Sequence, residues 1–350
     1  MSRPVIKTIF LLIFLSIFLT SFASSKDNVL NVYTWSGVIP DFTIRQFEKE
    51  TGIKVNFSTY DSNEVMYAKL KADKNNQYDV IEPSSYYIDR MRRQSMLEKL
   101  DKSLLPNFHN LNPSFLNQSY DPNTQYSLPF IWGVTGIFIN KAYIEKKDAP
   151  TRWSDLWDEK YANQLLLLDD SREVFSMAMH VLGYSGNDTN PEHIKQAYFK
   201  LKEILPKVKI FNSAVLSLLI DEDANVGMVW NGDLFKAAKE NKQLEFIYPK
   251  DGFAIWVDNF AIPKNAPHRE NAYKFLNYML DAEVNKQVAL DNNFPTANSA
   301  AQKLLPVSIR NNEVVYPSQA TLSKGEFQKD IGDDALALYE KYWEQLKMGG

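Results

Sequence analysis

The stretch NVLNVYTWSG, residues 28–37, alternates apolar and polar side chains as far as Trp35 and breaks at Ser36-Gly37. That is the pattern of a half-buried strand running into a loop. Pro40-Asp41 then opens a helix with Phe42, Ile44 and Phe47 as its apolar positions, closed at Thr51-Gly52. Ile53 to Phe57 reads as a second strand, Ser62-Asn63-Glu64 as the cap of a helix through Leu70, and Tyr78 to Ile81 as a third strand ending before Pro83-Ser84. Strand, helix, strand, helix, strand at these lengths is a parallel α/β arrangement. In such sheets ligands collect beyond the carboxyl ends of the strands, so Trp35-Ser36 and Ser84-Ser85-Tyr86 are expected at one crevice.

The same mixture continues downstream. A strand is expected at Gln164 to Leu168, a helix from Ser171, and a strand near Val226 to Val229 followed by Trp230-Asn231-Gly232 as a turn. Residues 253–263, FAIWVDNFAIP, are an apolar and aromatic run interrupted by Asp258. An acid inside a strand needs a reason, because a buried charge without a partner is costly. From Arg269 onward the chain reads as mostly helical, with Tyr273, Phe275, Leu276, Tyr278 and Met279 on a packing face. There is no repeat, low-complexity segment or long flexible linker. The length fits two domains of ordinary size that share the chain by crossing more than once.

The N-terminus carries Arg3 and Lys7, an apolar run from Ile9 to Leu19, and the small-residue stretch Thr20-Ser21-Phe22-Ala23-Ser24. This order is that of a secretory signal peptide cut after Ala23. A membrane anchor is the competing reading, but the run is shorter than the roughly 20 residues that span a bilayer. Removal of residues 1–23 moves the formal net charge from −4 to −6, which makes nucleic acid a poor partner. The sequence holds no cysteine, so neither a disulfide nor a lipid-bearing thiol is available, and the fold rests on its core.

Two features carry chemistry. Residues 168–175, LDDSREVF, place acids where a strand meets a helix, and Asp170 and Glu173 have the spacing of a helix cap and its third residue. A capping box closes a helix end with this pair; alternatively the pair points two negative groups into a crevice, and both can hold at once. The second feature is the recurrence of tryptophan at breaks after apolar runs, Trp35, Trp230 and Trp256, the last two residues from Asp258. Any one of these indoles suits a core, but three at expected strand ends beside acids suit a cation held over aromatic faces. The ligand that matches is a chain of methylenes carrying ammonium groups. Its charges meet the carboxylates and its apolar links meet the rings.

From about Val29 to Leu346 the chain resembles the periplasmic spermidine/putrescine-binding proteins of polyamine ABC importers, within the bacterial extracellular solute-binding family. The likeness rests on ETGIKV at 50–55, STY at 58–60, PSSYY at 83–87, LDDSREVF at 168–175, GMVWNG at 227–232, WVD at 256–258, FPT at 294–296 and GEFQ at 325–328, in that order. It implies a type II α/β fold of two lobes, each a mixed sheet flanked by helices, closing over ligand. One lobe would hold residues 24–133 and 257–304, the other 138–252 and 310–350, with crossings at 134–137, 253–256 and 305–309. By position it assigns ammonium contacts to Asp170, Glu173 and Asp258. Trp35, Tyr86, Trp230, Trp256 and Phe294 would line the methylene chain, and Ser36, Ser84, Ser213 and Gln328 would give neutral polar contacts. The implied partners are a polyamine and the permease subunits of an inner-membrane ABC transporter, with a monomeric protein in the periplasm and no cofactor or metal.

The sequence departs from the family pattern after Trp35, where Ser36, Gly37 and Val38 stand in place of a Thr-Glu-Tyr common in the family, and at Phe294, which replaces a common tyrosine. These changes are expected to alter affinity or the preference between diamine and triamine. Rival readings keep their own signatures. An enzyme would need a nucleophile, metal or acid/base pair, and His109, His180, His193 and His268 have no ligand spacing. Tyr86-Tyr87 would suit ferric iron, tryptophans would suit a sugar, and a ligand sensor would keep the same fold.

Overall fold

Parallel pairing builds the first sheet around the stretch quoted above. β1 (Val29–Trp35) runs alongside β2 (Lys54–Tyr60), in register from Val29 opposite Lys54 to Trp35 opposite Tyr60, and also beside β3 (Val80–Ile81). The connecting helices are α1 (Asp41–Thr51) and α2 (Asn63–Ala72), and α3 (Ser85–Arg93) follows β3. Gly52 ends α1 in the left-handed region at φ 72°, and the Ser62 hydroxyl caps α2 by accepting from the Val65 amide. The computed structural model describes residues 28–73 and 77–348; the export signal expected from the sequence, with its expected cut after Ala23, lies outside these. No helix among the described residues is long and apolar enough to cross a membrane.

The chain continues through β4 (Ser127–Asn140), β5 (Leu165–Leu167), α4 (Ser171–Val181), α5 (Pro191–Ile204), β6 (Val208–Phe211) and β7 (Val226–Trp230). Then come α6 (Asn231–Glu240), β8 (Leu244–Ile247), β9 (Phe253–Ala261), α7 (Arg269–Met279), α8 (Ala282–Asn292), β10 (Gly325–Phe327) and α9 (Gly332–Lys347). The strand order is β2-β1-β3-β9-β4-β7-β5-β6, with β10 on β9 and β8 on β4. β5 is parallel to both β6 and β7, so the second half repeats the parallel unit of the first.

β4 and β9 join the two halves. They pair antiparallel from Ser127 opposite Ala261 to Val134 opposite Ile255, after which β4 turns to β7 and β8. Sequence patterning does not mark β4, because Pro129 and two glycines look like breaks. Pro129 sits where the register shifts, which accommodates its missing N–H. Gly133 lies opposite Trp256, and a Cβ there would stand 2.2 Å from the indole ring.

Alternation along β9 feeds two cores. Phe253, Ile255 and Val257 pack into the core that contains α4, α5 and α9, whereas Trp256 and Phe260 pack with β1, α1 and α7. Two expectations change in detail. Trp230-Asn231-Gly232 is not a free turn, since β7 includes Trp230 and α6 starts at Asn231. Trp256 lies inside β9 and not at a strand end, because its partner strand β4 continues past it.

Gly133→Ala forces a methyl into the Trp256 ring without altering the backbone preference. It is expected to lower unfolding free energy by about 2 kcal/mol and to shift tryptophan emission, read by urea titration followed in fluorescence.

Candidate functional site

The carboxyl ends of the parallel strands of the two halves face each other across a cleft of about 380 Å³. From one side come Trp35, Ser36 and Val38 after β1, Asp61 and Asn63 after β2, and Ser84 and Tyr86 after β3. From the other come Asp170 and Glu173 after β5, Ser213 and Ala214 after β6, and Trp230 and Asp233 at the end of β7 and the start of α6. Ile131, Trp256 and Asp258 rise from the shared strands, and Phe294 and Gln328 complete the wall. All twelve residues singled out in the sequence therefore meet around one cavity. None of the described lining residues is basic.

Asp258 projects from the same face of β9 as Trp256, two residues away, which explains an acid in an otherwise apolar strand. Its Oδ1 accepts the Ser84 hydroxyl at 2.5 Å, and its carboxyl is almost fully buried. Burial pushes it up to about 7, against the pull of the Ser84 hydrogen bond toward the ionised form. The Trp35 and Trp256 indole nitrogens complete no hydrogen bond within the described protein. Ser84 is itself held by Asn63, whose Nδ2 donates to the Ser84 hydroxyl and to the Tyr86 hydroxyl, each at 3.0 Å.

Asp170 and Glu173 share the start of α4. Asp170 caps the helix by accepting the Glu173 amide at 3.1 Å. Glu173 does not close the capping box, because its Oε1 instead accepts Gln328 Nε2 at 3.0 Å and its Oε2 is left without a partner. Both carboxyls are pushed up, Asp170 by burial and then by Glu64, Glu173 by burial and then by Asp170. The buried Arg172 opposes this for both, and its guanidinium lies over Tyr86, 5.2 Å from the ring centre. An acid pair with one unfilled oxygen and its own cation turned away is set to receive another cation.

The rings are rigidly placed. Trp35 leans on Tyr60 with centroids 4.9 Å apart, and Trp256 meets Phe294 edge-on at 5.3 Å. Gly232 admits Phe294, since a Cβ there would stand 2.2 Å from that ring. Asn231 is fully buried and braces the crossing strand, accepting the Val134 amide and donating to the Val314 carbonyl. In the Trp-Asn-Gly motif at 230–232, Trp230 thus faces the cleft, Asn231 braces β4 and Gly232 makes room for Phe294.

Residues 42–315 match the family model described as bacterial extracellular solute-binding protein. The chain belongs to this family. Among its relatives, the spermidine/putrescine-binding periplasmic protein of Salmonella typhimurium is 49% identical over 331 residues, 94% of each chain. The Escherichia coli protein of the same name is 46% identical over 324 residues, 92% of each. A solved structure, the spermidine/putrescine ABC transporter substrate-binding protein PotD from Streptococcus pneumoniae, superposes with a TM-score of 0.80 at 33% identity, covering 92% of this chain and 99% of that one. The two-lobed fold implied by the sequence resemblance is thus the fold of this solute-binding protein.

Four further polar residues of this solute-binding protein, Asp61, Asn63, Asp233 and Glu82, lie at or behind the cleft without a local sequence signal for a ligand. The first three stand just beyond strand ends, a place the parallel layout marks in advance. Burial pushes Asp233 up to about 7, with Lys236 opposing. Glu82 is fully buried two residues before Ser84, neither of its oxygens completes a hydrogen bond, and burial followed by Asp258 pushes it well up. Nothing in the pattern of residues 78–84 marked it. Tyr86 lines the cleft, whereas Tyr87 lies off it with its hydroxyl donating to Glu64, so the adjacent tyrosines do not converge. None of the four histidines lines the cleft.

Acids raised by burial hold their protons more tightly folded than unfolded, so the folded state carries extra protons between about pH 4 and pH 7. Stability of the ligand-free protein therefore falls as pH rises through that window. Calorimetric melting is expected to drop by roughly 5 °C from pH 5 to pH 8, and Asp258→Asn is expected to remove part of the drop.

Proposed function

We propose that this solute-binding protein captures polyamines, spermidine and putrescine, in the periplasm and delivers them to an inner-membrane ABC transporter. The observation that carries the reading is the set of Asp170, Glu173 and Asp258, desolvated among Trp35, Trp230 and Trp256 in a cleft with no basic residue on its described wall. The names of the Salmonella and Escherichia relatives, 46–49% identical to it over the aligned residues, agree with it.

An ammonium at Asp258 meets an oxygen already polarised by Ser84, and its charge draws the carboxyl into the ionised form. A second ammonium reaches the free oxygen of Glu173 and the side chain of Asp170. The methylenes between them lie against Trp35, Tyr86, Trp230, Trp256 and Phe294, where each indole face adds about 0.5–2 kcal/mol for a cation within reach. Ser36, Ser213 and Gln328 supply neutral polar contacts. The lobes, residues 24–133 with 257–304 and 138–252 with 310–350, close by bending at 134–137, 253–256 and 305–309. Binding and release involve no chemical step, one chain suffices, and the acids lose protons as the cation arrives.

Titration calorimetry of protein stripped by unfolding and refolding, with putrescine, spermidine and an uncharged sugar, tests this. Either amine is expected to bind and the sugar not. Asp258→Asn is expected to raise Kd about 100-fold, close to 2.7 kcal/mol. Affinity should rise from pH 6 to pH 8, with protons released to the buffer. Absence of binding by any polyamine would overturn the reading.

A further inference from the structure

Outside the cleft wall, a buried polar grip joins α3 to the segment that follows β10. Asp330 is almost fully buried, its side chain 4% exposed, and Arg90 of α3 is 7% exposed. Asp330 Oδ1 accepts Arg90 Nη2 at 3.2 Å and the Gly332 amide at 3.1 Å, while Oδ2 takes the Arg93 guanidinium. Arg90 also pairs with Asp333 at 3.1 Å. A buried ion pair of this kind contributes little net stability compared with apolar packing of the same volume. Its use is geometric, and what it joins is informative. Tyr86 stands at the start of α3, and Gln328 lies two residues before Asp330; both line the cleft. Between them the Ser85 hydroxyl donates to the Gln328 carbonyl at 3.0 Å, and Gln328 Nε2 reaches across to Glu173.

We propose that Asp330 is a positioning residue for the cleft, holding α3 through Arg90 and Arg93 so that Gln328 and Tyr86 face the ligand from fixed places. This rests on the polyamine reading of the cleft. Asp330 touches no ligand; it limits the rotation of the 328–330 backbone, and with it the placement of the Gln328 amide beside Glu173. Loss of the grip frees both walls at once, so diamine and triamine suffer alike and the loss falls on dissociation.

The test is calorimetry and stopped-flow binding of putrescine and spermidine to Asp330→Asn, Gln328→Ala and the double variant, with melting temperature measured alongside. Asp330→Asn is expected to weaken both amines about tenfold, mostly through faster dissociation, and to cost only about threefold in the Gln328→Ala background, where the Tyr86 wall alone remains to be freed. Arg90→Lys, which keeps the charge but not the fork, is expected to fall between wild type and Asp330→Asn. An unchanged Kd in Asp330→Asn, or the same cost with and without Gln328, overturns the proposal while leaving the polyamine reading standing. Wild-type protein that binds neither amine overturns that reading and this proposal with it.

Discussion

The antiparallel pairing of β4 with β9 is the contact on which the rest of the molecule depends, because these strands belong to both halves at once. From Ser127 opposite Ala261 to Val134 opposite Ile255 they run side by side, and the period-two alternation sends Ile255 and Val257 into one core and Trp256 and Phe260 into the other. A one-residue slip would exchange the faces and send Asp258 into an apolar core. The fit of Trp256 against Gly133 and the bulge at Pro129 hold the register. Through this pair the opposed carboxyl ends of the parallel strands in the two halves are held at a distance that leaves a cleft of about 380 Å³.

The cleft is costly to the free protein. Asp258 and Glu173 are buried with no basic residue on the described wall, Glu82 lies behind them unpartnered, and the indole nitrogens of Trp35 and Trp256 have no acceptor among the described residues. Desolvation without compensation opposes folding, and in the proposed function it is what favours a cation in the site. Arg172 moderates the acid pair without neutralising it, since it is bonded away to the Lys329 carbonyl and Asn187 and stacked over Tyr86. In the proposed function an ammonium ligand supplies the missing charge, between the aromatic rings of the wall.

The polar framework behind the cleft is as specific as the wall itself. Asn63 sets Ser84 and Tyr86, Asn231 braces β4 at Val134, and Asp330 ties α3 to the segment carrying Gln328. Asn63 belongs to the wall, Asn231 and Asp330 stand behind it, and burial of the three side chains strengthens their hydrogen bonds.

Local chemistry in the chain determined a good deal by itself. Alternation in residues 28–35 and the strand–helix punctuation that follows set a parallel α/β layout, and the strand-end rule placed Trp35, Ser36, Ser84 and Tyr86 at a crevice, because period and turn chemistry are properties of neighbours in sequence. The acid in residues 253–263 announced itself as an anomaly for the same reason. Tertiary structure alone decided which distant segments meet. β4 was hidden because its proline and glycines are explained only by partners more than a hundred residues away. The choice of Glu173 for Gln328 over its own helix end, the isolation of Glu82 and the Asp330 grip depend on through-space contacts that no local pattern records. The reason is physical: burial and charge pairing act across distances in space, and only the folded chain sets those distances.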